Sequence, residues 1–128
     1  MGLTLAWHCL NLGASVRVID PNGVANGASG GIVGALAPHV PENWNTKKQF
    51  QLESLLYSQH FWQAVDEVSG LHSGYRRSGR LQPLMDDAGV TLARRRKESA
   101  KDLWKNFASW EVISSSKEWQ LSLSLIHI

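Results

Sequence analysis

The sequence has a single cysteine, Cys9, among its 128 residues, and this scarcity excludes two kinds of site. One cysteine cannot build an internal disulfide framework or a cysteine-based zinc cluster. The five histidines show no metal-ligand spacing, so we expect no metal site. The absence of disulfides predicts a reduced compartment, and we expect the protein to be cytoplasmic.

Long apolar runs and strong net charge are also missing. No apolar stretch approaches the roughly 18 residues that a membrane span needs, and no positive charge precedes the apolar stretch at the beginning, as a secretory signal requires. Thirteen Lys and Arg against eleven Asp and Glu give a net charge of +2, too weak to indicate a nucleic-acid or membrane partner. We therefore expect neither partner.

The hydrophobic pattern predicts three helices in a globular α/β protein. Residues 3–12 are apolar almost all round, which predicts a helix buried on more than one side. Residues 47–69 and 88–108 carry apolar side chains at spacings of three and four, as long amphipathic helices do. The predicted stop and start residues are Gly13, Gly70, and Asp86 or Asp87.

Three short segments have the composition of strands. Residues 15–19 are rich in β-branched side chains, and residues 110–113 form a second candidate. Residues 75–85 are predicted to be extended or paired, with Pro83 favouring a sheet edge. The fold class predicted from these elements is α/β.

Two side-chain groups have a functional and a structural interpretation. The basic run 94–97 could form a nucleic-acid patch, but a solvated helix face is the more frequent arrangement and is expected. Trp62 and Trp104 fall among apolar helix positions, so we expect them to pack in the core.

The succession of helix, Gly13, strand, Asp20 and glycine-rich loop is typical of a dinucleotide-binding fold. There, an acid at the end of the second strand binds the adenosine ribose, roughly 20 residues past the glycine fingerprint. Asp20 follows Gly2 by 18 positions, so Gly2 would be the last glycine of that fingerprint. The alternative is that Gly2 is an arbitrary residue and Asp20 a plain turn residue.

Residues 26–39 read Asn-Gly-Ala-Ser-Gly-Gly-Ile-Val-Gly-Ala-Leu-Ala-Pro-His. This stretch resembles the loop after the second strand in flavin-dependent oxidoreductases of the D-amino-acid oxidase/glycine oxidase family. The match runs without a gap from Asp20 to His39. The opening residues and the segment 74–81, Gly-Tyr-Arg-Arg-Ser-Gly-Arg-Leu, are also similar to that family. The resemblance covers about residues 2–113.

The resemblance implies FAD as the cofactor and a partial, Rossmann-like FAD/NAD(P)-binding domain over residues 1–122, with its first strand missing. Because the sheet would then be incomplete, we expect Leu3, Leu5, Trp7 and Leu10 of the first helix to be partly exposed. Asp20 would bind the ribose, and Ala28 and Ser29 would lie along the pyrophosphate. Residues 33–35 would pass near the ribityl chain and the flavin ring. A helix N-cap is the alternative role for Ser29. The residues assigned to the cofactor are Gly2, Asp20, Ala28, Ser29, Val33, Gly34 and Ala35.

The resemblance also implies an activity for a longer parent protein. That protein would oxidise a small-molecule amine or amino acid by hydride transfer to FAD, while this chain alone would be an inactive fragment without assignable catalytic residues. A narrower possibility within this class is a family member that finishes the modification of a tRNA wobble base. The alternative is a non-catalytic α/β nucleotide-binding or interaction module. Residues 123–128, Leu-Ser-Leu-Ile-His-Ile, resemble the translation of a sequencing adapter, and a genuine strand is the alternative there.

Overall fold

The computed structural model describes residues 2–32, 34–113 and 125–127, which fall into two compact units. The first unit, Met1–Ala35, contains helix α1 (Gly2–Asn11) and a 3-10 turn at Ala28–Gly30. No helix in the described residues is long and apolar enough to cross a membrane. The second unit, Leu36–Ile128, contains α2 (Thr46–Ser69), β1 (Leu81–Pro83), α3 (Asp87–Leu103), β2 (Glu111–Ile113) and β3 (Leu125–His127).

Helix α2 confirms the prediction made for residues 47–69, and its ends show why it forms there. The Asn45 side chain accepts a hydrogen bond from the backbone N–H of Lys48, 3.1 Å away, and so caps the beginning of the helix. Gly70 ends it in the left-handed conformation with φ +66°, and its N–H donates to the carbonyl of Asp66.

Helix α3 begins where the sequence predicts but ends five residues early. Asp86 caps it, because its Oδ1 accepts the N–H of Gly89 at 2.7 Å. The predicted helix reached residue 108, whereas α3 ends at Leu103 and Lys105 takes the left-handed φ of +49°. A lysine in that conformation cannot continue a right-handed helix. The apolar spacing in the sequence therefore continues beyond the residue at which the helix ends.

Helix α1 forms as predicted, and its leucines are exposed. Ala6 is its one buried residue, while Leu3, Leu5 and Leu10 are 54%, 67% and 56% exposed. The partial exposure expected of Leu3, Leu5 and Leu10 is confirmed, and the helix is not buried on more than one side. Burial of such a helix requires a second layer of structure, and the described residues of the first unit contain none besides α1 and a short 3-10 turn.

The strand predicted at 15–19 is not formed. These residues have no regular secondary structure, and the side chains of Val18 and Ile19 are 50% and 83% exposed. A strand needs a neighbour to accept and donate its ladder hydrogen bonds. None of the described strands pairs with residues 15–19, so β-branched composition alone does not produce a strand here.

The described strands form a small antiparallel sheet in the order β1-β3-β2. Leu81 and Glu111 both lie opposite His127 in its register. Strand β1 lies at an edge, which confirms the position expected for Pro83. Strand β3 falls within residues 123–128. Its conformation does not test the adapter origin, which stays a prediction, and residues 123, 124 and 128 lie outside the described residues.

The core of the second unit is built around two tryptophans. Trp104 is fully buried and its ring centroid lies 5.9 Å from that of Trp110. The core role expected for Trp104 is confirmed, while Trp62 is half-buried and meets the Phe61 ring edge-on at 5.0 Å. The buried members of the cluster are Leu52, Leu84, Ala93, Ala100, Trp104 and Trp110.

The basic run on α3 divides into exposed and paired members. Arg94 and Arg95 are exposed, as expected for a solvated face. Arg96 instead binds Glu42 through two hydrogen bonds of 3.1 and 2.6 Å and lies over the Trp110 ring, 5.7 Å from its centroid. Lys97 pairs with Glu111 on β2 at 2.5 Å, so half of the run has a structural role.

The Glu42–Arg96 pair makes the stability of the second unit depend on pH. The hydrogen bonds from Arg96 hold the pKa of the Glu42 carboxyl below its ordinary value of 4.5. A lowered folded-state pKa means that the stabilisation is full well above pH 4.5 and is lost as the pH falls through the folded value. We expect Glu42→Gln to lower the free energy of unfolding at neutral pH by about 1–3 kcal/mol.

Urea unfolding followed by tryptophan fluorescence at a series of pH values checks this prediction. The difference between wild type and Glu42→Gln should shrink as the medium becomes acidic. Glu98→Gln is the matched control, since Glu98 pairs with Lys101 on the exposed surface of the same helix. Equal effects of the two substitutions, or a Glu42→Gln effect that is constant in acid, would contradict the assignment.

Candidate cofactor-binding site

Asp20 is the first residue of the candidate site, and its side chain accepts a hydrogen bond within a tight turn. Its Oδ1 accepts the backbone N–H of Asn22 at 2.9 Å, and the residue is exposed. An ionised carboxylate has about four lone-pair sites, so this one hydrogen bond leaves acceptor capacity for two hydroxyl groups. The geometry at Asp20 therefore fits a ribose. The same hydrogen bond to Asn22 also fits the alternative that Asp20 is a turn residue.

The loop after Asp20 is held by its own short-range hydrogen bonds. The Asn26 side-chain amide donates to the carbonyl of Asn22, and the Asn26 N–H donates to the carbonyl of Gly23 at 3.5 Å. Gly23 and Ala25 both have left-handed backbones, with φ of +84° and +62°. Such a conformation is rare for alanine, so the turn is strongly determined by its surroundings.

Ala28, Ser29 and Gly30 form a single 3-10 turn. The Gly30 N–H donates to the carbonyl of Gly27 at 3.0 Å, and Gly27, which occupies the capping position, supplies no side-chain cap. Ser29 lies inside this turn rather than at its N-cap, so the N-cap alternative for Ser29 is wrong in this structure. Its hydroxyl lies on an exposed residue.

Gly30 is a residue of the candidate loop that was not assigned to the cofactor from the sequence. A Cβ atom at this position would lie 2.1 Å from the carbonyl oxygen of Ala25, closer than any real contact of that kind. The turn at Ala25 and the 3-10 turn therefore touch backbone to backbone, which only glycine permits. The sequence shows a glycine here but gives no sign that Ala25 is its neighbour.

Part of the residues assigned to the cofactor from the sequence lie in this loop, and the others lie outside it. Asp20, Ala28 and Ser29 belong to it, and Gly34 and Ala35 follow as exposed residues. Gly2 is the first residue of α1, and a Cβ there would meet nothing within 4 Å, so the close packing expected of Gly2 is not seen in the described residues. Val33 lies outside the described residues.

The chemistry of the loop suits a dinucleotide better than a metal. Within the described ranges, no three His, Cys, Asp or Glu side chains come together as metal ligands. The loop offers one carboxylate, backbone N–H groups and small side chains, which bind ribose hydroxyls and let a backbone approach a phosphate closely. The donor set therefore fits FAD at its ribose and pyrophosphate.

A second feature that sequence reasoning missed lies just after the loop, in the second unit. The side-chain amide of Gln51 on α2 accepts the backbone N–H of His39 at 3.0 Å and donates to the carbonyl of Ala37 at 3.3 Å. His39 is thus held through its backbone. No spacing signal identifies Gln51, because its partners are 12 and 14 positions away.

The chain belongs to the family of FAD-dependent oxidoreductases. The sequence model of that family, described as FAD dependent oxidoreductase, matches residues 1–121. This confirms the resemblance drawn from the Asp20–His39 segment, and FAD is the cofactor of the family. The Rossmann-like FAD-binding fold of the family is consistent with the mixture of helices and short strands described above.

A bacterial protein is similar over most of this chain. It is the tRNA 5-methylaminomethyl-2-thiouridine biosynthesis bifunctional protein MnmC of Hydrogenovibrio crunogenus (strain DSM 25203 / XCL-2), with 30% identity over 113 residues. The match covers 85% of this chain but 16% of that protein, so the chain spans about one sixth of the relative's length. No solved structure matches this chain significantly.

Proposed function

We propose that this chain is part of a longer flavoprotein that oxidises an amine or an amino acid. The observation that carries the proposal is the family match over residues 1–121, together with the exposed acid and small-residue loop at the position where that family meets its cofactor. The catalytic and substrate-binding residues of such a protein are not assigned to any position of this chain.

The residues of this chain would bind and position the cofactor. When bound, FAD would supply the hydride acceptor for the C–H bond next to the substrate nitrogen; with loss of that hydride and of a proton from nitrogen, the amine would become an imine that water hydrolyses. Asp20 would accept hydrogen bonds from the two ribose hydroxyls. Ala28 and Ser29 would flank the pyrophosphate. Residues 33–35 would pass beside the ribityl group and the flavin ring, where small side chains leave room for them.

An amine carried by a transfer RNA is a second candidate substrate. The relative named above is a protein of tRNA 5-methylaminomethyl-2-thiouridine biosynthesis, and the modified base in that name contains an amine. Free amines and RNA-bound amines place different demands on the protein, since only the second requires a surface for the nucleic acid. The identity of 30% to this relative is the observation that favours the candidate.

Expression of the longer reading frame that contains this chain tests both candidates. We expect a yellow protein with the absorbance of oxidised flavin, which bleaches without oxygen when its substrate is added. Amino acids, simple secondary amines and tRNA are compared as reductants. A colourless protein that takes up no FAD would instead support the non-catalytic nucleotide-binding or interaction module.

A further inference from the structure

A stretch of the second unit concentrates positive charge without any acidic residue. Residues 70–85 contain Arg76, Arg77 and Arg80 and neither aspartate nor glutamate. All three arginines are exposed. The chain as a whole is nearly balanced at +2, so the charge-based expectation of no nucleic-acid partner does not describe this local surface.

The three arginines differ from the paired cations on α3, because none of them is paired with a carboxylate among the described residues. Arg77 donates to the backbone carbonyl of Phe107, and Arg80 donates to the side-chain carbonyl of Gln82 at 3.2 Å. Both acceptors are neutral. Arg76 forms no ion pair or hydrogen bond with the described residues. The positive charge of the segment is therefore available to an outside partner.

The hydrogen bond from Arg77 brings an exposed aromatic residue beside this charge. Phe107 lies 30 positions further along the chain and is 52% exposed. Lys105, two residues before it, is also exposed and turns the chain in the left-handed conformation. The hydrogen bond from Arg77 to the Phe107 carbonyl joins the two segments. Their exposed members are called here the Arg76–Phe107 surface: Arg76, Arg77, Arg80, Lys105 and Phe107.

We propose that the Arg76–Phe107 surface binds RNA, and that it holds the transfer RNA of the second candidate substrate. Guanidinium groups bind phosphates through paired N–H donors, and unstacked bases of single-stranded RNA loops stack on exposed aromatic rings. A loop and a turn present such groups to an RNA loop, whereas a duplex groove is usually entered by a helix or a β-ribbon. This inference rests on the proposed function in its tRNA form.

Fluorescence anisotropy with labelled, unfractionated tRNA and the full 128-residue chain tests the proposal. The double substitution Arg76→Ala/Arg80→Ala should weaken binding by about tenfold or more and reduce the slope of log affinity against log salt by about 1.4, for two lost phosphate contacts. Arg77 is left in place because it holds the Phe107 backbone. Phe107→Ala should weaken binding and leave the salt slope unchanged.

The matched control removes the same charge from another place. Arg94→Ala/Arg95→Ala deletes two exposed arginines of α3 and should leave tRNA affinity within about twofold of wild type. Circular dichroism confirms that each variant is folded. Equal losses from both double substitutions, a Phe107→Ala chain with full affinity, or a wild-type chain that binds no tRNA would each overturn the proposal.

Two further arms identify the partner and separate this inference from the proposed function. Duplex DNA and vesicles of anionic lipid are titrated under the same conditions, and binding as tight as that of tRNA would show a general anion surface and overturn the RNA assignment. Flavin uptake by the longer protein is measured for the same variants. Loss of RNA binding with normal flavin uptake supports the surface, and a flavoprotein without RNA affinity refutes the surface alone.

Discussion

Asp20→Ala should weaken FAD binding by about tenfold to a hundredfold in the longer protein that contains this chain. The substitution removes charge-assisted hydrogen bonds to the two ribose hydroxyls, and such bonds contribute about 1.5–3 kcal/mol. Flavin fluorescence titration of the apoprotein measures the change.

Asp20→Asn separates the two roles that the structure gives to this residue. Asparagine keeps an Oδ1 acceptor for the Asn22 N–H and so preserves the turn, but it replaces the second oxygen and the charge. We expect Asp20→Asn to lose affinity almost as Asp20→Ala does. If Asp20→Asn binds FAD as well as wild type, Asp20 acts through the turn and the ribose assignment fails.

Gly30→Ala should disrupt the loop and lower FAD affinity by about tenfold or more. The new methyl group would overlap the Ala25 carbonyl oxygen, 2.1 Å away, and both partners are backbone or directly attached to it. Forced overlaps of this kind cost about 1–3 kcal/mol. Limited proteolysis should cleave residues 20–31 faster, while the melting of the second unit should stay unchanged.

Gly27→Ala provides the matched control three positions away in the same loop. A Cβ at Gly27 would meet nothing within 4 Å, so this variant adds the same methyl group without overlap. It should retain the proteolytic pattern of wild type. Identical behaviour of Gly27→Ala and Gly30→Ala would show that the close approach of Gly30 to Ala25 does not determine the loop.

The features that the sequence predicts well depend on neighbours along the chain. The capping of α3 by Asp86 and of α2 by Gly70 depends on hydrogen bonds that span three or four residues. Apolar spacing likewise identifies Trp104 as a core residue, since its partners on α3 lie one turn away. Local signals of this kind can be read without knowledge of the fold.

The features that the sequence predicts poorly depend on contacts with residues far away along the chain. Residues 15–19 have a suitable composition but no strand beside them, and Arg96 finds Glu42 across 54 positions. At the candidate site, the acid and the small residues were visible in the sequence. The requirement for glycine at position 30 was not, because it arises from a contact with Ala25 that only the folded turn creates.

The Gln51 side chain makes two hydrogen bonds of the kind that a neighbouring strand would make to Ala37 and His39. Its amide offers the donor and the acceptor that a neighbouring peptide group would offer, and it presents them to Ala37 and His39 as a ladder does. A peptide group cannot be altered by substitution, but a glutamine can. Glutamate at this position would keep the acceptor for the His39 N–H, lose the donor and repel the Ala37 carbonyl. The identity of this one side chain therefore determines how firmly the backbone of residues 37–39 is held.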